Sequence, residues 1–117
     1  MKQAAVILLA LLTVGPAAGA GAPQRMQVTQ DEWSLTLSRQ VLSSGRPASI
    51  EVFNIGQDAH DLVLLHAAKG AKPLRVRKLA HFEREEVTVR LRPGRYTLWC
   101  SLPGHRARGM VAPLRIR

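Results

Sequence analysis

The sequence has one cysteine, eight acidic residues against seventeen basic ones, and five aromatics in 117 positions. Each scarcity excludes something. A single cysteine cannot close an internal disulfide, so the chain is not a disulfide-stapled scaffold. The longest apolar run, Ala4 to Val14, is 11 residues, well short of the ~20 a spanning helix needs. No integral membrane span is therefore expected. No window carries a long helical period. Internal repeats, low-complexity tracts, Met- or His-rich tracts and a second domain are all missing. Neither a Ser/His/Asp arrangement nor a paired-carboxylate constellation stands out, which argues against an enzyme.

What is present begins with a leader-like segment. Met1-Lys2-Gln3 is short and positive, Ala4 to Val14 is apolar, and Gly15-Pro16 breaks the run. Ala18-Gly19-Ala20 then fits a small-x-small cleavage site. We expect residues 1–20 to be a signal peptide and 21–117 to be one domain, periplasmic or secreted. A lone cysteine in an exported chain must be paired between chains or otherwise occupied.

The formal charge is +9, most of it arginine. Such a field favours acidic partners. Nucleic acid is the other obvious partner for so basic a chain. With no basic helix and only Trp33, Phe53, Phe82, Tyr96 and Trp99 as stacking residues, it is not expected.

Gly21 to Arg25 reads as a flexible entry. Beyond it, short alternating runs recur between turn signals. Trp33 to Leu37 alternates, as do Ala48 to Asn54, Glu86 to Leu91 and Tyr96 to Cys100. Leu62 to Leu65 is apolar on both faces and reads as a central, buried strand. Val111 to Ile116 closes the chain. About seven such strands indicate an all-β Greek-key sandwich. The Lys- and Arg-rich stretch from Ala67 to Phe82 is an excursion, with a short helix or an irregular strand.

The chemistry concentrates between Tyr96 and Met110. Cys100 is followed by His105 five positions on and by Met110 five after that. The chain has only four His and three Met, so this spacing rarely arises by chance. Thiolate and thioether suit Cu(I), and imidazole suits both copper states. Two His, one Cys and a long axial Met make a blue-copper electron-transfer site. The loop supplies three of the four, and His60 is the natural second histidine. His66 and His81 are extra and read as surface residues.

Tyr96-Thr-Leu-Trp-Cys100-Ser-Leu-Pro-Gly-His105, closed by Gly109-Met110, resembles the copper loop of the cupredoxins (plastocyanin/azurin type). Asn54-Ile-Gly56, followed by His60-Asp61-Leu62, resembles their first-ligand segment. The family often has an aromatic where Leu98 stands, and Asn where Asp61 stands. The resemblance implies one copper ion held by His60, Cys100, His105 and Met110. It also implies a monomeric one-electron carrier serving redox protein partners. The alternative is a carrier or chaperone that delivers the metal itself. Backbone N–H groups of Leu102 and Asp61 are expected at the sulfur. An apolar patch of Leu102, Pro103, Gly104, Met110, Val111 and Pro113, flanked by Arg106 and Arg108, is the expected exit for electrons.

Overall fold

The computed structural model describes residues 22–117, with Gln3 before them. The expected 1–20 leader thus lies outside the described residues, Gln3 apart. Nine strands and one helical turn follow in order: β1 (Gln24–Asp31), β2 (Ser34–Leu37), β3 (Val41–Leu42), β4 (Ala48–Asn54), β5 (His60–His66), β6 (Leu74–Leu79), β7 (Arg84–Val89), β8 (Gly94–Trp99), α1 (His105–Arg108) and β9 (Val111–Ile116). They form two sheets, ordered β2-β1-β4-β7 and β3-β9-β8-β5-β6. β1 runs parallel to β4 and β3 to β9, while the other pairs are antiparallel. The two sheets face each other as a sandwich.

Alternation drives the packing. Met26, Val28, Ile50 and Val52 point inward from one sheet, and Leu62, Leu64, Leu98 and Leu114 from the other, all within one buried cluster. Period-two side chains make this possible, because every second residue falls on the core face. β5 lies between β6 and β8, and Leu62, Val63 and Leu64 are all buried. The apolar run is thus a central strand, as its composition implied. Among the described residues, no helix is long and apolar enough to cross a membrane.

Two sequence expectations change, the entry segment and the place of Trp33, and residues 67–82 take the irregular-strand alternative. The entry segment is shorter than read, because Gln24 and Arg25 already belong to β1. β1 alternates with glutamines at two core positions, Gln24 and Gln30, which hid it. Gln24 is buried because its amide donates to the Ser43 carbonyl at 2.6 Å and accepts the Ser43 N–H at 2.8 Å. Residues 67–82 contain a paired strand, β6, bulged against β5 near His60. Its charged residues Arg75, Arg77 and Lys78 face solvent, while Val76 and Leu79 are buried. Trp33 leaves its expected strand and sits in the β1–β2 turn.

The register fixes one end of the sandwich as the site. Val63 pairs with Trp99, and Trp99 with Val111. The start of β5, the end of β8 and the start of β9 therefore meet. The β1–β2 turn reaches the same end from the opposite sheet.

Candidate metal centre

Cys100 follows directly on β8. Tyr96, Leu98 and Cys100 share one face and are all buried, with Cys100 at 0% exposure. The chain then turns through Ser101 to Gly104 and makes one helical turn, His105–Arg108. Gly104 (φ 78°) enters that turn and Gly109 (φ 129°) leaves it, both in backbone space that favours glycine. The loop closes on itself. Met110 donates its N–H to the His105 carbonyl at 3.2 Å, and Cys100 donates its N–H to the Met110 carbonyl at 3.1 Å. Met110 is thereby held between the two other loop residues and is fully buried.

His60 starts β5 and is also fully buried. Its Nδ1 lies 3.0 Å from Nδ1 of His105 and 4.0 Å from the Cys100 sulfur. The third gap, from His105 Nδ1 to the sulfur, is 3.5 Å. Two imidazole nitrogens and one sulfur thus converge, all three within 4.8 Å of one another. Among the described residues no other such group of His, Cys and carboxylate side chains occurs. His81 is exposed and hydrogen-bonds the Gly56 carbonyl, while half-buried His66 hydrogen-bonds the Pro93 carbonyl. Both are occupied elsewhere.

Burial pushes the Cys100 thiol pKa up, and the Leu102 and Asp61 backbone N–H groups oppose that rise. Those are the two donors expected at the sulfur. A buried thiol with a raised pKa is a poor free nucleophile. A cation among these donors would instead take the thiolate, since metal binding displaces the proton. The donor set of one sulfur and two imidazoles fits a soft or borderline ion.

The surface differs from the expected patch at two residues, Met110 and Pro113, neither of which lines it. Leu102, Pro103, Gly104 and Val111 do line a concavity next to Cys100, with Trp99, Arg106 and Ala107. Met110 is turned wholly into the core, and Pro113, farther along β9, lines other surface grooves beside Gln40. Arg106 lies over the Trp99 ring and Arg108 over the Trp33 ring, each guanidinium carbon 4.6 Å from the ring centre. Both flanking arginines therefore stack on aromatics rather than standing free.

Two residues at the site carried no signal in the sequence. Glu32 places a carboxylate oxygen 3.0 Å from His60 Nε2. The Trp33 ring packs edge-on against His105, with ring centres 4.8 Å apart. Neither has a diagnostic spacing, because 28 residues and a change of sheet separate the Glu32–Trp33 turn from His60.

No protein-family model and no curated protein matches the chain. Solved structures do. Auracyanin A, a blue copper protein from Chloroflexus aurantiacus, matches over 82% of this chain and 100% of its own, with TM-score 0.65 and 17% identity. Rusticyanin from Thiobacillus ferrooxidans matches over 83% of this chain and 79% of its own, with TM-score 0.67 and 12% identity. A multicopper oxidase matches over 83% of this chain but only 45% of its own, with TM-score 0.63 and 10% identity. Likeness at such identities is one of architecture, and it gives this chain the cupredoxin fold.

Proposed function

We propose that this protein is a type 1 (blue) copper protein that carries single electrons outside the cytoplasm. The observation that carries the reading is the convergence of His60 Nδ1, His105 Nδ1 and the Cys100 sulfur at the buried end of the sandwich. Cys100 would bind as thiolate, His60 and His105 as neutral imidazoles, and Met110 as a weak thioether donor. Copper held there supplies a one-electron couple. The likeness to auracyanin A and rusticyanin supports this choice of metal and chemistry.

The chain's own residues do the rest. Strand ends β5 and β8 hold His60 and Cys100 in a packed core, so the donors move little when charge changes. Burial of Cys100, His60 and Met110 excludes water. Half-buried His105 and the concavity beside Leu102 and Pro103 bring the site close to a partner's surface. Four protein donors around one ion leave no open position for a substrate, so we read the chain as a carrier rather than an enzyme. Residues 1–20 would be an export signal. The carrier would act as a monomer with acidic redox proteins.

The decisive experiment is the visible spectrum of the copper-loaded protein. Intense thiolate-to-copper absorption that disappears in Cys100→Ser supports the carrier reading. A colourless protein that binds only Cu(I) would overturn it in favour of metal delivery.

A further inference from the structure

A fully buried imidazole needs a partner for each ring nitrogen or loses a hydrogen bond. His60 has two partners of opposite kind. Nδ1 faces Cys100 and His105, while Nε2 faces the Glu32 carboxylate at 3.0 Å. An ionised carboxylate only accepts. It therefore selects the ring form with the proton on Nε2 and leaves the Nδ1 lone pair for the donor cluster.

Glu32 is itself firmly held. The oxygen facing His60 also accepts the Asp58 N–H at 2.7 Å, and the other accepts the Gln57 N–H at 3.1 Å. The N–H of Asp58 is the largest of several contacts that keep its pKa low, at about 2, so the group is ionised at neutral pH. The carboxylate fits only because residue 56 is glycine. A Cβ there would lie 2.6 Å from both carboxylate oxygens. The neighbouring residue completes the arrangement: the Trp33 ring lies edge-on to His105 at 4.8 Å and to His60 at 6.3 Å. One turn from the opposite sheet thus reaches both histidines.

We propose that Glu32 is the positioning residue of this site: it orients His60, fixes its ring tautomer, and sets a fixed negative charge behind it that favours the oxidised ion. This rests on the copper reading above for its redox part, while the tautomer part stands on the protein alone. Partners of metal-bound histidines that take the far N–H have such roles generally, and their loss costs about 10–100-fold in metal affinity.

Three variants of the full chain test the idea. Glu32→Gln keeps an oxygen for Nε2–H but removes the charge. It should keep the colour and the tautomer and shift the Cu(II)/Cu(I) affinity ratio about tenfold toward Cu(I), a rise of about 59 mV for one electron. Glu32→Ala removes charge and acceptor, and should lower Cu(II) affinity about 10–100-fold. Gly56→Ala leaves the net charge alone and displaces the carboxylate, so it should raise the potential in the same direction. Nitrogen-15 NMR of the copper-free protein reads the His60 tautomer directly, with Nε2 protonated in the wild type and in Glu32→Gln.

Unchanged potentials in all three variants, with only a lower unfolding temperature, would make Glu32 a tie for the 56–58 loop and overturn the proposal. So would a wild-type His60 protonated on Nδ1. A wild type that never turns blue would defeat the copper reading and leave the tautomer measurement to judge Glu32 separately.

Discussion

Asp61 accepts the Ser101 backbone N–H at 2.6 Å, and its second carboxylate oxygen accepts the Ser101 hydroxyl. The residue after His60 is thereby fastened to the residue after Cys100, and the two donor-bearing segments are clamped side by side. Asparagine, common here in the cupredoxins, could accept the N–H equally well. Aspartate suits this chain because Ser101 offers a second donor, its hydroxyl.

Asp61→Ala should therefore loosen the site. Loss of both hydrogen bonds should cost about 1 kcal/mol, read as a lower urea midpoint of the copper-free protein. The copper-loaded variant should also show a broadened or shifted visible band. Asp61→Asn should stay close to wild type, since its amide can donate to the Ser101 oxygen while its carbonyl takes the N–H. Equal damage from both substitutions would mean that the negative charge, not the clamp, is what matters.

Gly109 presents a sharper steric test. Its φ of 129° is unsuited to side chains, and a Cβ would lie 2.6 Å from the Trp33 carbonyl oxygen. That neighbour is backbone and cannot swing aside. Gly109→Ala should destabilise the fold by about 1–3 kcal/mol or more and disturb the fluorescence of Trp33. Gly45→Ala is the matched control, because nothing lies within 4 Å of its added carbon and its φ is not positive. Similar losses in the two variants would remove the Trp33 contact from the explanation.

Met110 is fully buried and bonded through its backbone to both Cys100 and His105. Leucine is close to methionine in volume, so Met110→Leu should cost less than about 1.5 kcal/mol in stability. Copper and colour should persist, and the potential should rise because thioether donation to the oxidised ion would be lost. Voltammetry decides this. A fall, or no change, would take Met110 out of the donor set.

Much of this was legible in the residues, and the gaps have a common cause. Cys100, His105 and Met110 lie on one loop, so their spacing is local and readable. His60 was found as the upstream histidine that the loop lacked, in a segment resembling the cupredoxin first-ligand stretch, and its place before the apolar Leu62 run put it at a strand start. The Leu102 and Asp61 N–H groups were expected from the cupredoxin resemblance, and both lie at the sulfur. Glu32 and Trp33 were invisible because they act across the sandwich, where sequence distance carries no information. β1 was hidden by Gln24 and Gln30, polar residues that are buried only because backbone groups of other segments meet their amides. β6 was obscured by its charge: edge strands tolerate Arg and Lys on the solvent face. Met110 was misplaced on the surface patch because its exposed neighbours say nothing about its own side chain.

The formal charge of +9 leads to the final test, which uses two reactions of opposite electrostatic sign. Arg106 and Arg108 are stacked on Trp99 and Trp33, and Arg106 lines the apolar concavity, so its charge is held there. Association with an acidic redox protein should be fast at low salt and slow steeply as salt rises, because the Debye length falls from ~30 Å at 0.01 M to ~10 Å at 0.1 M. Electron self-exchange between two copies brings like charges together, so it should speed up over the same range. Arg106→Glu should weaken both trends, slowing the acidic partner and easing self-exchange at low salt. Stopped-flow kinetics and NMR line broadening measure the two rates. Rates with the acidic partner that ignore both salt and Arg106→Glu would leave the apolar surface of Leu102, Pro103 and Val111 as the docking determinant. In that case a polar substitution at exposed Val111 should slow transfer where reversing the arginine did not.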